Sequence, residues 1–235
     1  MAVWRALLIV YSELDVRLPA GRRRKRRFHH VATEEERADA TKSFRAFPDL
    51  AADLTSGGAR VEARIVQSEF PLRSLSENGK SCYWPSPDDT RRELDQFAPA
   101  GAFGSLFVFW PQNDFAAGST IASGGWGLGM GAGDWSHRAT YAVVGNAPSH
   151  AWQQERPGEV WLHEWLHGVC HHFASQGHVM PARDADGGDV HGYVRSPEEG
   201  WTEYYRDLMS GNVEEKGARL GIPLAAWRQD SAQAG

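Results

Sequence analysis

The chain is poor in cysteine, has no long apolar run and carries no excess of positive charge, and each shortage closes off a class of protein. Cys82 and Cys170 are the only two cysteines in 235 residues, too few for a disulfide framework and not spaced as a CxxC pair. They are read as two free thiols or one bridge, with no function placed on either. No segment reaches the roughly eighteen apolar residues that span a bilayer, so no membrane span is expected. Lys and Arg total 25 against 30 Asp and Glu, a net charge of −5. A whole-surface nucleic-acid binder is basic, so no nucleic-acid partner is expected. The opening apolar run, Ala6 to Tyr11, is too short for an export signal and lacks a small-residue cleavage site. It is read as a buried strand, and the compartment is left unassigned.

What is present is a globular composition, 41% hydrophobic and 23% charged, long enough to bury a sizeable core. Six consecutive basic residues, Arg22 to Arg27, are read as a solvated loop rather than a docking patch. Thr33 with Glu36 forms a capping box ahead of a helix that Pro48 is expected to interrupt, a second stretch ending at Gly57-Gly58. Val61 to Phe70, Ser105 to Trp110 and Thr140 to Val144 read as strands, and Pro87 opens a short helix to Phe97. The glycine-dense GGWGLGMGAG, Gly124 to Gly133, fits neither GxGxxG nor GxxxxGK[ST] and reads as a flexible or irregular edge segment. Pro157 sits at the first position of a helix carrying Val160 to Phe173, and Ser196-Pro-Glu-Glu199 starts a second helix running towards Gly211. Strands and helices first, two long helices last, predict one α+β domain over residues 1–235.

Ten histidines are the unusual feature, and seven of them lie between His150 and His191. His163-Glu164-Trp165-Leu166-His167 is an HExxH on a predicted helix. Histidines four apart sit about 6 Å apart on one helix face, so both imidazoles reach one ion. Glu164, beside the first of them, is placed to take a proton from water rather than to bind metal. Random order of this composition yields such a motif only about 0.03 times per chain. The neighbours Val160, Trp161, Leu166 and Val169 make the helix mostly apolar, and polar groups within a buried helix need a partner such as a metal.

The motif HEWLH, on a helix after an α+β pattern, resembles the zincin metallopeptidases. The resemblance covers mainly Gly158 to Gly211 and implies a mixed β-sheet behind an active-site helix, a second C-terminal helix, and Zn2+ as cofactor. The metzincin extension is not met: its glycine position is Cys170 and its third-ligand position is Phe173. His163, His167 and His191 are therefore the first choice of metal ligands. Glu199, as a gluzincin-type ligand from the next helix, comes second, although the Ser196 capping box already gives it a role. Asp186 and Asp189 follow. His171 lies one turn too far along the helix axis, and it and His172 are read as a solvated or outer pair. Glu203 is a candidate outer partner, and Asp184, Asp186 and Asp189 do not complete a calcium loop.

With Glu164 as base, the resemblance implies a Tyr just after the third ligand to steady the oxyanion, which points to Tyr193 with Tyr204 behind it. Met209 resembles the methionine under a metzincin site, but is better read as core. The implied activity is hydrolysis of a peptide or protein substrate, with a strand such as Thr140 to Val144 pairing with it. Two further classes stay open: an iron redox or oxygenase site, favoured by a carboxylate third ligand, and a zincin-like binding module without activity.

Overall fold

The computed structural model describes residues 3–19, 25–79, 81–154 and 156–229. Its centre is a five-stranded sheet in the order Gly127–Met130, Thr140–Gly145, Ser105–Trp110, Trp4–Val10, Val61–Gln67. The last four strands run parallel, and Gly127–Met130 is antiparallel at one edge. SLFVFW and TYAVVG are buried at every residue, as expected of parallel strands covered on both faces. Alternation then sorts the side chains. Leu8, Phe107, Phe109 and Val144 face the two long helices, whereas Leu7, Leu106, Val108 and Tyr141 face the opposite layer.

The first long helix is Glu34–Leu54, and both bonds of the Thr33–Glu36 capping box are made. It runs straight through Pro48, contrary to the break expected there. A proline inside a helix costs about 3 kcal/mol, and burying Phe44, Phe47 and Leu50 on one face offsets this at about 1.5–3 kcal/mol each. The second long helix, Glu159–Ser175, carries the HExxH motif. Its N-cap is Gly158 at φ 92°, so Pro157 lies just outside the helix rather than in its first position. On the other face lie the hairpin Glu13–Pro19 with Lys25–Val31 and the short helix Arg91–Phe97. Arg22 to Arg24 lie outside the described residues. Lys25 to Arg27 are exposed but form a strand rather than a loop, with Arg27 paired to Asp15 at 2.7 Å.

Three more expectations change. The glycine-dense segment is an ordered edge strand at Gly127–Met130, and that makes Thr140–Gly145 an interior strand with both edges used. The Ser196 segment does not begin a helix. Residues Ser196 and Gly200 close a turn by two backbone bonds, and the helix Thr202–Leu208 starts only afterwards. Gly200 is at φ 60°, a left-handed conformation that breaks a helical run, and the Glu159 carboxylate takes the Trp201 N–H. Both cysteines are free, Cys170 buried and Cys82 partly so. Among the described residues no helix is long and apolar enough to cross a membrane.

Candidate metal centre

The motif helix is fixed to the sheet through its apolar face and one polar anchor. Leu162, Leu166 and Val169 are fully buried, and Trp165 donates its indole N–H to Ser105 Oγ at 2.9 Å. The opposite face meets the edge strand at unusually short range. A Cβ on Gly127 would fall inside the Glu164 carboxyl group, and one on Gly129 would overlap the Glu164 carbonyl. Every second residue from Gly125 to Gly133 is glycine, so the strand turns a side-chain-free face to the helix. That bare face lets the edge of the sheet become one wall of a cleft.

His163 and His167 project into this cleft one turn apart, their ring centroids separated by 4.9 Å. The facing wall is the loop after the helix. Arg183 (φ 65°) and Asp184 (φ 35°) are both in the left-handed region, a costly conformation for side chains of this kind, and the turn swings two aspartates towards the histidines. Tyr204 holds the turn by donating its O–H to the Asp184 carbonyl. Asp184 Oδ1 accepts from His167 Nδ1 at 2.7 Å, which leaves Nε2 as that ring's free nitrogen. His163 Nδ1 meets the Tyr205 hydroxyl at 2.8 Å. Both Nε2 atoms then converge on Asp186: His163 Nε2 to Oδ1 is 3.4 Å, and His167 Nε2 to Oδ2 is 3.9 Å.

His163, His167 and Asp186 thus offer three donor atoms within 4.8 Å of one another. Ligands about 2.0–2.2 Å from a tetrahedral zinc are about 3.3 Å apart, close to the spacings found. The donors are two imidazoles and one carboxylate, each histidine held by an outer hydrogen bond, so the residues fit a divalent transition metal. The three line both of two adjoining cavities, of about 540 and 670 Å³. Glu164 Oε1 lies 4.0 Å from His163 Nε2, deep in the first cavity.

Electrostatics follow from this burial. Desolvation pushes the Glu164 carboxyl up to about 8, against the pull of His167. Desolvation, then the neighbouring His167, pushes His163 down to about 4, which keeps it a neutral donor. Burial also works to lower His167, but the bond to Asp184 and the surrounding carboxylates outweigh it and leave that imidazole raised.

The other residues singled out from sequence lie elsewhere. His191 is not brought to the cluster: Nε2 meets the Ala182 carbonyl at 3.1 Å and the ring stacks on Tyr204. Tyr193 donates its hydroxyl to Asp207 at 2.6 Å, away from both cavities. Glu199 pairs with Arg156, and its N–H is taken by Ser196 Oγ. Glu203 is exposed, His171 packs beside Gly131, and His172 meets Trp4 edge-on. Asp189 lines the second cavity only, and Met209 is fully buried core.

Residues that the sequence reading undervalued are Asp184, Asp186, Tyr205 and the glycines of the edge strand. Two signals were there to be read: the strict period-2 glycine pattern, which marks a strand, and the Asp-x-Asp followed by Gly187-Gly188. No protein-family model matches the chain, and no curated protein matches it.

Proposed function

We propose that this protein is a zinc-dependent peptidase of the zincin type, with His163, His167 and Asp186 holding the metal. The observation that carries the reading is the meeting of these three donors beside Glu164 in a cleft walled by a free sheet edge. A bound zinc supplies Lewis acidity at this point, polarising a carbonyl and making water acidic. Glu164, buried next to His163, takes the proton from the attacking water and passes it to the leaving amine. No described strand pairs with the outer edge of Gly127–Met130, and that edge lines the cavity. An extended peptide adds there as a further strand, its backbone hydrogen bonds setting the scissile bond across the donors. Asp184 and Tyr205 hold the two imidazoles in place, and the oxyanion role expected of Tyr193 falls away because its phenol is committed to Asp207.

The carboxylate among the ligands favours one other reading, since two histidines and one carboxylate also suit non-haem iron. Glu164 speaks for hydrolysis: an iron redox site needs no buried base at that position. Elemental analysis and a peptide-hydrolysis assay on the purified protein separate the two. The expected result is about one zinc per chain with measurable cleavage. Glu164→Gln keeps the metal and loses about 10²-fold or more in rate, the scale of a removed general base. Stoichiometric iron without hydrolysis contradicts the proposal.

A further inference from the structure

The cleft contains one more buried acid, which the chemistry above does not use. Glu159 opens the motif helix one turn before His163 and lines the same cavity of about 540 Å³. The residue is 4% exposed. Its two oxygens are treated very differently. Oε1 accepts the Trp201 N–H at 2.7 Å and ties the helix start to the turn before Thr202. Oε2 is closed off from water and has no hydrogen-bond partner. A carboxylate oxygen buried without a donor is costly, and structural duty at Oε1 does not account for it.

Two cations act on this carboxylate: Arg195, whose guanidinium stands 3.7 Å from Oε2, beyond hydrogen-bond reach, and Arg156, which is already paired with Asp53 and Glu199. The Arg195 side chain is 48% exposed and also lines the cavity, so it leaves at little cost. The remaining charged lining groups besides the histidines are Glu164 and Asp186, both acidic. Trp126 and Trp201 complete the wall and supply aromatic faces that suit a cation and its aliphatic stem.

We propose that Glu159 forms a cation-recognition subsite, in which an ammonium or guanidinium of the substrate binds Oε2 as Arg195 swings out to solvent. The group comes from a basic side chain or from the amino terminus of the peptide. This rests on the cleft being a peptide site, and it narrows the substrate class to peptides with a positive group about one helical turn from the metal donors.

The test measures binding rather than turnover, by calorimetry on the full chain carrying Glu164→Gln so that no peptide is consumed. Three pentapeptides are compared: one acetylated and amidated with a central Lys, the same with a central Gln, and the Gln peptide with a free amino terminus. The subsite predicts that the Lys or the free-amine peptide binds about tenfold or more tightly than the neutral one, the scale of one charge-assisted hydrogen bond. Which of the two gains identifies the source of the cation. Adding Glu159→Gln, which retains an acceptor for the Trp201 N–H, removes the preference, whereas Arg195→Ala preserves or widens it. Equal binding of all three peptides, a preference that survives Glu159→Gln, or one that vanishes with Arg195→Ala overturns the subsite. None of these outcomes depends on zinc identity or hydrolysis, so the subsite and the peptidase reading fail separately.

Discussion

The two walls of the cleft are built by different means. The helix Glu159–Ser175 and the strand Gly127–Met130 are regular elements in backbone contact, with glycines where any side chain would intervene. The opposite wall, around Asp184 to Asp189, is loop and a single 3₁₀ turn, held by left-handed residues and by Tyr204 from the following helix. Periodicity alone places His163 and His167 side by side. Asp186 reaches them only because contacts distant in sequence set the turn. The first wall provides precision through packing, and the second brings up the third candidate donor through polar anchors.

This division predicts that damage to the first wall acts on the fold, and damage to the second on the metal. Gly129→Ala places a Cβ on the Glu164 carbonyl, and backbone cannot swing aside as a side chain can. Overpacking of this kind costs about 1–3 kcal/mol, so thermal melting drops by several degrees. An unchanged melting temperature would mean that the strand and helix are not in close contact. Asp184→Asn keeps an oxygen near His167 Nδ1 but removes the charge that orients the ring. It lowers zinc affinity by about 10–100-fold, the usual loss for an outer partner, with little change in melting of the zinc-free protein. Chelator competition reads the first effect and calorimetry the second.

A further effect comes from pH. The Glu164 carboxyl, raised to about 8 against 4.5 for a free glutamate, gives stability that is present at low pH and lost as pH rises to 8. His163, lowered to about 4, works in the opposite sense but only up to 6.5, and His167, raised, acts in the same sense as Glu164. Between pH 6.5 and 8 the zinc-free protein therefore becomes less stable, and Glu164→Gln reduces that slope. A melting temperature that rises over this interval would contradict the burial of the acid.

The same contrast explains what could be read from the sequence. The α+β class, the strands at Trp4–Val10, Ser105–Trp110 and Thr140–Gly145, and the HExxH helix were legible because period and burial agree along one stretch of chain. The edge strand was not, because glycine carries no hydropathy signal, and its alternation was read as irregularity. On sequence His191 stands ahead of Glu199, which has a capping duty, and Asp186 comes only after both. The structure gives His191 a duty of its own, the Ala182 carbonyl and the Tyr204 ring, and neither contact has a local pattern. Ser196 does accept the N–H groups expected of a cap, but Gly200 and the Glu159 carboxylate turn that segment into a hairpin-like turn instead. Long-range side-chain bonds decided both outcomes.

If Asp186 on the loop wall is the third donor, the zinc affinities of two variants will show it. Asp186→Ala and His191→Ala are titrated against a chelator, with circular dichroism as the folding control. Asp186→Ala should lose affinity well beyond the 10–100-fold expected of an outer partner, while His191→Ala stays near wild type. Retention of zinc by Asp186→Ala together with its loss in His191→Ala would put the third donor at His191 instead.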